Sequence, residues 1–227
     1  MESWVDEYKF WVAGHKLMAD EQPVPFRLTP NRRGELTPEI IVLHETATRI
    51  DAQSPLDWLC NAASNVSAHL AVDRDGAVTQ LCPFNMTTWH AGLSSWKGRR
   101  GVNHFSIGIE LVGPGRLRTG SLGHARAWWG EEFSVAQYGI EFRSTPEHGE
   151  GWWMPFTEPQ IHAATAVCKV IADCYGIKDI VSHASISPGR KQDPNPLFPM
   201  GWLRSIALGR RRAAANIVSF PAPVAAP

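Results

Sequence analysis

The chain has 227 residues, with 22 basic and 22 acidic side chains and a formal net charge of zero. That length allows one generous domain with a substantial core, and the charge balance excludes a general electrostatic pull toward nucleic acid or anionic lipid. No apolar run approaches the ~20 residues that cross a bilayer, and the acidic start M-E-S-W-V-D-E-Y-K-F lacks the hydrophobic segment of a secretory signal.

A cytoplasmic protein is therefore expected. Its cysteines at 60, 82, 168 and 174 form no Cys-x-x-Cys pair and no dense framework, so they are read as reduced or incidental thiols. Residues 1–38 are expected to be a leader. Within it Trp4, Val5, Tyr8, Trp11 and Val12 recur at three and four, which predicts a short amphipathic helix over 2–18. Pro23, Pro25 and Pro30 then interrupt regular structure, and His15 is read as a surface or packing residue. The run Ile40 to Leu43 is β-branched and unbroken, as in a central strand buried on both faces.

Ser54-Pro55 opens a helix running to about Ala63, with serine as N-cap and proline at the first helical position. Val66 to Val72 and Ala77 to Leu81 are paired strands joined by D-R-D-G, where Gly76 supplies the positive φ of a tight turn. His69 lies in this hairpin and is read as structural. After a Gly- and Arg-rich loop, F-S-I-G-I-E-L-V at 105–112 is the next strand. Glu110 interrupts it with a charge, which either faces solvent at an edge or is compensated by a cation or a catalytic water.

Residues 114–155 have no clear period and are treated as an insertion. Thr157-Glu158-Pro159-Gln160 has the form of a capping box, and Ile161, Ala164, Val167, Cys168, Ile171 and Ala172 make the apolar stripe of a helix that ends at Gly176. His162 lies off that stripe and is expected to be exposed. A short strand at Ile180-Val181 and a closing helix from Trp202 to Leu208 follow. The cluster Arg210-Arg211-Arg212 is read as a solvated helix end or linker, and residues 210–227 as a flexible tail. Strands interleaved with helices indicate an α/β fold, a single domain with a central mixed sheet, spanning residues 39–209.

Two apolar strands end in an imidazole: I-I-V-L-H-E-T places His44, and I-V-S-H places His183. The second leads into S-P-G-R-K-Q-D-P-N-P, a loop stiffened by prolines that presents Lys191 and Asp193. His44, His183 and Asp193 are the candidate ligands of one zinc ion. Three protein ligands with a fourth position left open are the arrangement of a catalytic zinc site. His44-Glu45 has no second histidine at 48, which excludes the helical H-E-x-x-H motif.

Segments in the same order over most of the chain carry a resemblance: I-V-L-H-E-T at 41–46, V-S-A-H-L-A-V-D-R-D-G at 66–76, W-H-A-G at 89–92, N-H-F-S-I-G-I-E-L at 103–111, P-F-T-E-P-Q at 155–160 and S-H-A-S-I-S-P-G-R-K-Q-D-P-N-P at 182–196. With them the chain resembles the N-acetylmuramoyl-L-alanine amidases of the peptidoglycan-recognition-protein fold, in particular the cytoplasmic anhydromuropeptide branch and the phage endolysin amidases. The resemblance implies zinc bound by His44, His183 and Asp193, with Glu110 and Lys191 as catalytic partners. It implies a peptidoglycan or muropeptide substrate, cut between the lactyl group of N-acetylmuramic acid and L-alanine. His90, Asn103 and Arg190 fall in loops that border the family's groove, where each either contacts substrate or supports its loop. The long insertion, the leader and the tail have no counterpart in the family pattern; they leave open the oligomeric state and the choice between intact wall and soluble fragments.

Overall fold

The computed structural model describes residues 8–51 and 53–209. In chain order the described elements begin with β1 (Phe10–Ala13), β2 (Lys16–Ala19), β3 (Gln22–Pro23), β4 (Arg32–Glu35), β5 (Ile40–Glu45), α1 (Gln53–Leu59), β6 (Leu70–Val72), β7 (Val78–Gln80), β8 (Met86–Thr88), β9 (Ser95–Trp96), β10 (Arg99–Arg100) and β11 (Ser106–Leu111). The insertion holds β12 (Arg118–Thr119), β13 (His124–Arg126), β14 (Glu132–Ser134), α2 (Val135–Tyr138), β15 (Glu141–Thr145) and β16 (Gly149–Trp153). The chain continues through α3 (Glu158–Tyr175), β17 (Asp179–Ser182), α4 (His183–Ile186) and α5 (Met200–Ala207).

The central sheet has the order β17-β5-β11-β6-β7. β5 pairs in parallel with β11 and β17, β11 in parallel with β6, and β6 antiparallel with β7. This is a mixed sheet with β5 and β11 in its interior, and all six residues of β5 are buried. Alternation sorts its side chains between two faces. Ile41, Leu43, Ile107, Ile109 and Leu111 join Ile161, Val167 and Ile171 of α3 and Leu203 of α5 in the main core. Ile40 and Val42 face the other way, against Val102, Phe105 and Ile186 of α4.

α3 forms as its sequence predicts, from the Thr157 cap, whose side chain accepts from the Gln160 amide, to Gly176 in the left-handed conformation. The capping box is only half made. Gln160 turns its amide inward and donates to the carbonyls of Val72 and Val112, 3.0 Å away in each case, so it ties the helix to the sheet. His162 is buried, not exposed, because α5 lays Trp202 against that side of α3, with ring centroids 5.9 Å apart.

Residues 1–7 of the expected leader lie outside the described residues, and the described part differs from expectation. Residues 10–19 form a β-hairpin, not a helix: β1 pairs antiparallel with β2 around Gly14 and His15, both at positive φ (54° and 63°), the signature of a two-residue hairpin turn. Nor is it separate from the domain. Leu17, Val24 and Leu36 belong to the main core, and the buried Gln80 side chain of β7 accepts from the Leu17 amide at 2.8 Å while donating to the His15 carbonyl at 3.2 Å. Residues 25–29 then run along β7, with Phe26 bridging Gln80, and cover what would be an open sheet edge.

The helix expected from Ser54 starts at Gln53 and ends at Leu59, with Ala62–Ser64 as a 3-10 turn; Ser54 lies within it, and the Asp51 carboxylate accepts both its amide and its hydroxyl. The insertion is built of small antiparallel sheets around its own core of Leu117, Phe133, Ile140 and Met154. The four cysteines are free, and among the described residues no helix is long and apolar enough to cross a membrane. Residues 210–227, expected to be a tail, lie outside the described residues.

Because Leu17 is fully buried, Leu17→Ala is expected to destabilise the protein by about 2–5 kcal/mol in urea unfolding. A leader outside the domain would give a change within about 0.5 kcal/mol.

Candidate metal centre and groove

Three neighbouring parallel strands bring the polar residues together at their carboxyl ends, where open α/β sheets commonly bind ligands. The register of β5 on β11 sets His44 beside Glu110. That of β5 on β17 pairs Leu43 with Ser182, so His183 emerges one residue past the strand. Ser182 caps α4 by accepting the Ser185 amide at 3.0 Å, which fixes how His183 leaves the sheet. The proline-rich loop returns to this point, and its Asp193 carbonyl accepts the Ala184 amide at 2.9 Å.

The three side chains converge. His44 Nδ1 lies 2.8 Å from His183 Nδ1, Asp193 Oδ2 lies 3.0 Å from His183 Nδ1, and it lies 3.4 Å from His44 Nδ1. Bonds of about 2.0–2.1 Å in tetrahedral geometry separate ligand atoms by roughly 3.3 Å. Two nitrogens and one carboxylate oxygen at these spacings therefore fit a divalent transition ion. His44 and His183 are buried and Asp193 half-buried.

The electrostatics agree with the packing. Burial first, then the neighbouring His183, lower the His44 pKa to about 4 against the opposing pull of Asp193. Burial pushes the Asp193 carboxyl up, but its hydrogen bonds with His183 and His44 outweigh this and hold it well below the ordinary carboxylate range. Glu110 is half-buried, and its Oε2 has no hydrogen-bond partner among the described residues. Burial, reinforced by the charge of Asp193 and opposed by Lys191, raises its pKa to about 8. Since β11 is an interior strand, the edge-strand alternative for Glu110 is overturned.

His44, Glu110, Lys191, Asp193, His183, His90 and Arg190 all line one groove of about 450 Å³. His90 is buried beneath His44, with its Nδ1 2.9 Å from His44 Nε2 and its Nε2 3.2 Å from Ser106 Oγ. Asn103 Oδ1 accepts the backbone amides of His90 and Ala91 at 3.1 and 2.8 Å. Arg190 directs Nε to the Leu93 carbonyl at 3.1 Å and Nη2 to the Ala91 carbonyl at 2.8 Å and Ser187 Oγ at 2.7 Å. Asn103 and Arg190 thus brace the loop that carries His90 and Ala91. His69 is structural as expected: its Nδ1 accepts the Gly108 amide at 3.0 Å and its Nε2 faces the Met86 carbonyl at 2.8 Å.

Sequence reasoning passed over other parts of the site. Glu45, buried next to His44, accepts the amides of Gly115 and Asn195 at 2.9 and 3.1 Å and so ties strand, insertion and proline loop together; burial raises its pKa to about 7 despite those bonds. A second carboxylate directly after His44 in an apolar strand was the available signal. Trp58 and Trp128, exposed by 53% and 72%, are walls of the groove. The Trp128 indole is held by a 2.9 Å hydrogen bond from Nε1 to the Ala47 carbonyl. It comes from the insertion, whose sequence gives no hint of that contact.

Residues 34–196 match the family described as N-acetylmuramoyl-L-alanine amidase. The chain belongs to this family. It is 33% identical over 157 residues to the 1,6-anhydro-N-acetylmuramyl-L-alanine amidase AmpD of Escherichia coli K12, covering 68% of this chain and 64% of that one. It is 32% identical over 180 residues to the N-acetylmuramoyl-L-alanine amidase AmiD of the same organism, covering 75% and 54%. The matches thus span between about half and two thirds of the length of these curated relatives. Among solved structures, AmiD of E. coli in complex with the substrate anhydro-N-acetylmuramic acid-L-Ala-D-γ-Glu-L-Lys superposes with a TM-score of 0.57 at 26% identity, covering 88% of this chain and 66% of that one.

The raised Glu110 pKa gives a stability signature in the metal-free amidase fold. Below pH 4.5 the group is protonated in both states and silent. Above it the unfolded chain ionises while the fold keeps its proton, so stability falls, by at most roughly 1.4 kcal/mol per pH unit, until about pH 8. Glu110→Gln removes this loss, so the variant's advantage in urea unfolding is expected to grow across that window; an advantage that does not change with pH contradicts the assignment.

Proposed function

We propose that this protein is a zinc hydrolase that cuts the amide bond between the lactyl group of N-acetylmuramic acid and L-alanine in peptidoglycan or its muropeptide fragments. The observation that carries the reading is the pairing of Glu110 with His44 across two interior parallel strands, in a groove that also holds His183, Asp193 and Lys191. His44, His183 and Asp193 would hold the zinc, and family membership supports that choice of metal. Both curated relatives are named as amidases of this bond, and AmiD was solved with a muropeptide in place.

A bound zinc supplies Lewis acidity, acidifying water from a pKa of 15.7 to about 7 and polarising a carbonyl. Glu110 is the general base. Its high proton affinity suits it to take a proton from the attacking water and to pass it to the departing nitrogen. As the water oxygen bonds to the lactyl carbonyl carbon, negative charge collects on the carbonyl oxygen. The Lys191 ammonium, which lines the same groove, stabilises that charge. The C–N bond then breaks and the Glu110 proton goes to the L-alanine amine, leaving a carboxylate on the sugar and a free stem peptide. The indole faces of Trp58 and Trp128 offer flat apolar surfaces for the sugar rings.

The test is peptide release from purified sacculi and from soluble anhydro-muropeptides, with zinc content measured in the same samples. Glu110→Gln is expected to keep its zinc and lose about 100- to 10,000-fold in turnover, and Lys191→Ala to lose about 100- to 1,000-fold. Asp193→Ala is expected to lose zinc itself. Unchanged turnover in Glu110→Gln, or unchanged zinc in Asp193→Ala, removes that residue from its role.

A further inference from the structure

We propose that Arg116, supplied by the insertion, is a specificity-determining residue that binds a carboxylate of the stem peptide. The inference rests on the muropeptide reading above and names where that substrate's charge is held. Three Lys and Arg side chains line the groove: Arg116, Arg190 and Lys191. Arg190 is occupied by the Leu93 and Ala91 carbonyls and by Ser187 Oγ, and Lys191 is given to the reacting carbonyl. Arg116 is exposed and has no hydrogen bond or ion pair among the described residues.

The backbone fixes the base of this side chain from both directions. On one side the Gly115 amide donates to the buried Glu45 carboxylate of β5 at 2.9 Å. On the other, Leu117 is fully buried and exchanges both backbone hydrogen bonds with Trp152 of β16, at 2.9 and 3.2 Å. The arginine between them lies across Gly151: a Cβ there would sit 2.9 Å from Arg116 Cγ and 3.0 Å from Nε, so any larger residue would displace it. Two residues earlier on the same strand, Gly149 lies against the Gln192 amide, where a Cβ would be 3.4 Å from Nε2. Gln192 also lines the groove and also lacks a side-chain partner among the described residues. Trp153 ends the strand; it is buried, lines the groove, and its Nε1 has no partner among the described residues. One strand thus gathers at one corner of the groove donor groups that the protein leaves unpaired.

The chemistry of this corner calls for a negatively charged acceptor. A guanidinium presents a planar fork of N–H donors that matches the two oxygens of a carboxylate. The muropeptide solved with AmiD contains L-Ala-D-γ-Glu-L-Lys, and a glutamate linked through its γ-carboxyl keeps its α-carboxyl free and ionised at neutral pH. That carboxylate lies one residue beyond the L-alanine whose amide is cut, and the terminal carboxylate of the peptide one residue further. Neither takes part in bond breaking. Arg116 therefore acts on binding and leaves the chemistry to Glu110 and Lys191.

The test compares three soluble anhydro-muropeptides carrying this tripeptide: one with both carboxylates free, one amidated at the γ-Glu α-carboxyl and one amidated at the C-terminus. Arg116→Met keeps an unbranched side chain over Gly151 and removes the charge. With the free substrate it is expected to raise KM about 10- to 100-fold and to leave kcat within roughly twofold, the pattern of lost binding and not of lost chemistry. In the parent, amidation of the carboxylate that Arg116 holds is expected to cost the same 10- to 100-fold, whereas Arg116→Met is expected to be indifferent to it; the position that shows this identifies which carboxylate is bound. Equal KM in parent and variant, equal losses in both on each amidation, or a loss confined to kcat overturns the proposal. Calorimetry with the same ligands in the Glu110→Gln background reads binding alone. Discrimination there with no cleavage by the parent defeats the hydrolase reading and leaves the carboxylate subsite standing, cleavage by the parent without discrimination does the reverse, and a chain that shows neither loses both.

Discussion

The site depends on the parallel ladder between β5 and β11. Its register sets Ile40 beside Ser106, Val42 beside Gly108 and His44 beside Glu110, and alternation puts all six on one face. On that face the small residues of β11 leave the space that His90 fills under His44, and the final pair opens into the groove. A slip of one residue would send Glu110 into the apolar core and bring Ile109 to the site. The opposite face opposes that slip, because Ile41, Leu43, Ile107, Ile109 and Leu111 are all packed against α3 and its neighbours. The core that stabilises the sheet thereby fixes the geometry of the chemistry on its other side.

The same burial creates the electrostatic demand. Two carboxyl groups, Glu45 and Glu110, are pushed toward their neutral forms while Asp193 is kept ionised by its imidazole partners. His44 and His90 are driven neutral, which is the form in which a histidine binds a metal. A divalent cation among the two imidazoles and Asp193 would favour ionised Glu110, the form that a general base requires. The insertion adds a different element: it fastens Trp128 to the loop following His44 through the Ala47 carbonyl and so brings an aromatic wall to the groove.

Signals local to the chain were readable. The β-branched run before His44, the D-R-D-G turn and the Thr157-to-Gly176 helix all appear where residue type and spacing place them, and the five residues His44, Glu110, His183, Lys191 and Asp193 share one groove. What escaped depends on contacts distant in sequence. Apolar spacing over 2–18 fits a helix, yet the turn at Gly14-His15 and the buried Gln80 recruit residues 10–19 as a hairpin. His162 is buried by Trp202 from a helix 40 residues later. The partners of His90, Asn103 and Arg190 are the His44 ring, loop amides and loop carbonyls that sequence does not display.

The most direct check on the metal centre is a crystal of the zinc-loaded protein measured across the zinc absorption edge. One anomalous peak is expected, bonded to His44 Nδ1, His183 Nδ1 and an Asp193 carboxylate oxygen and open toward Glu110. A peak elsewhere, or one that omits any of these three side chains, would contradict the account.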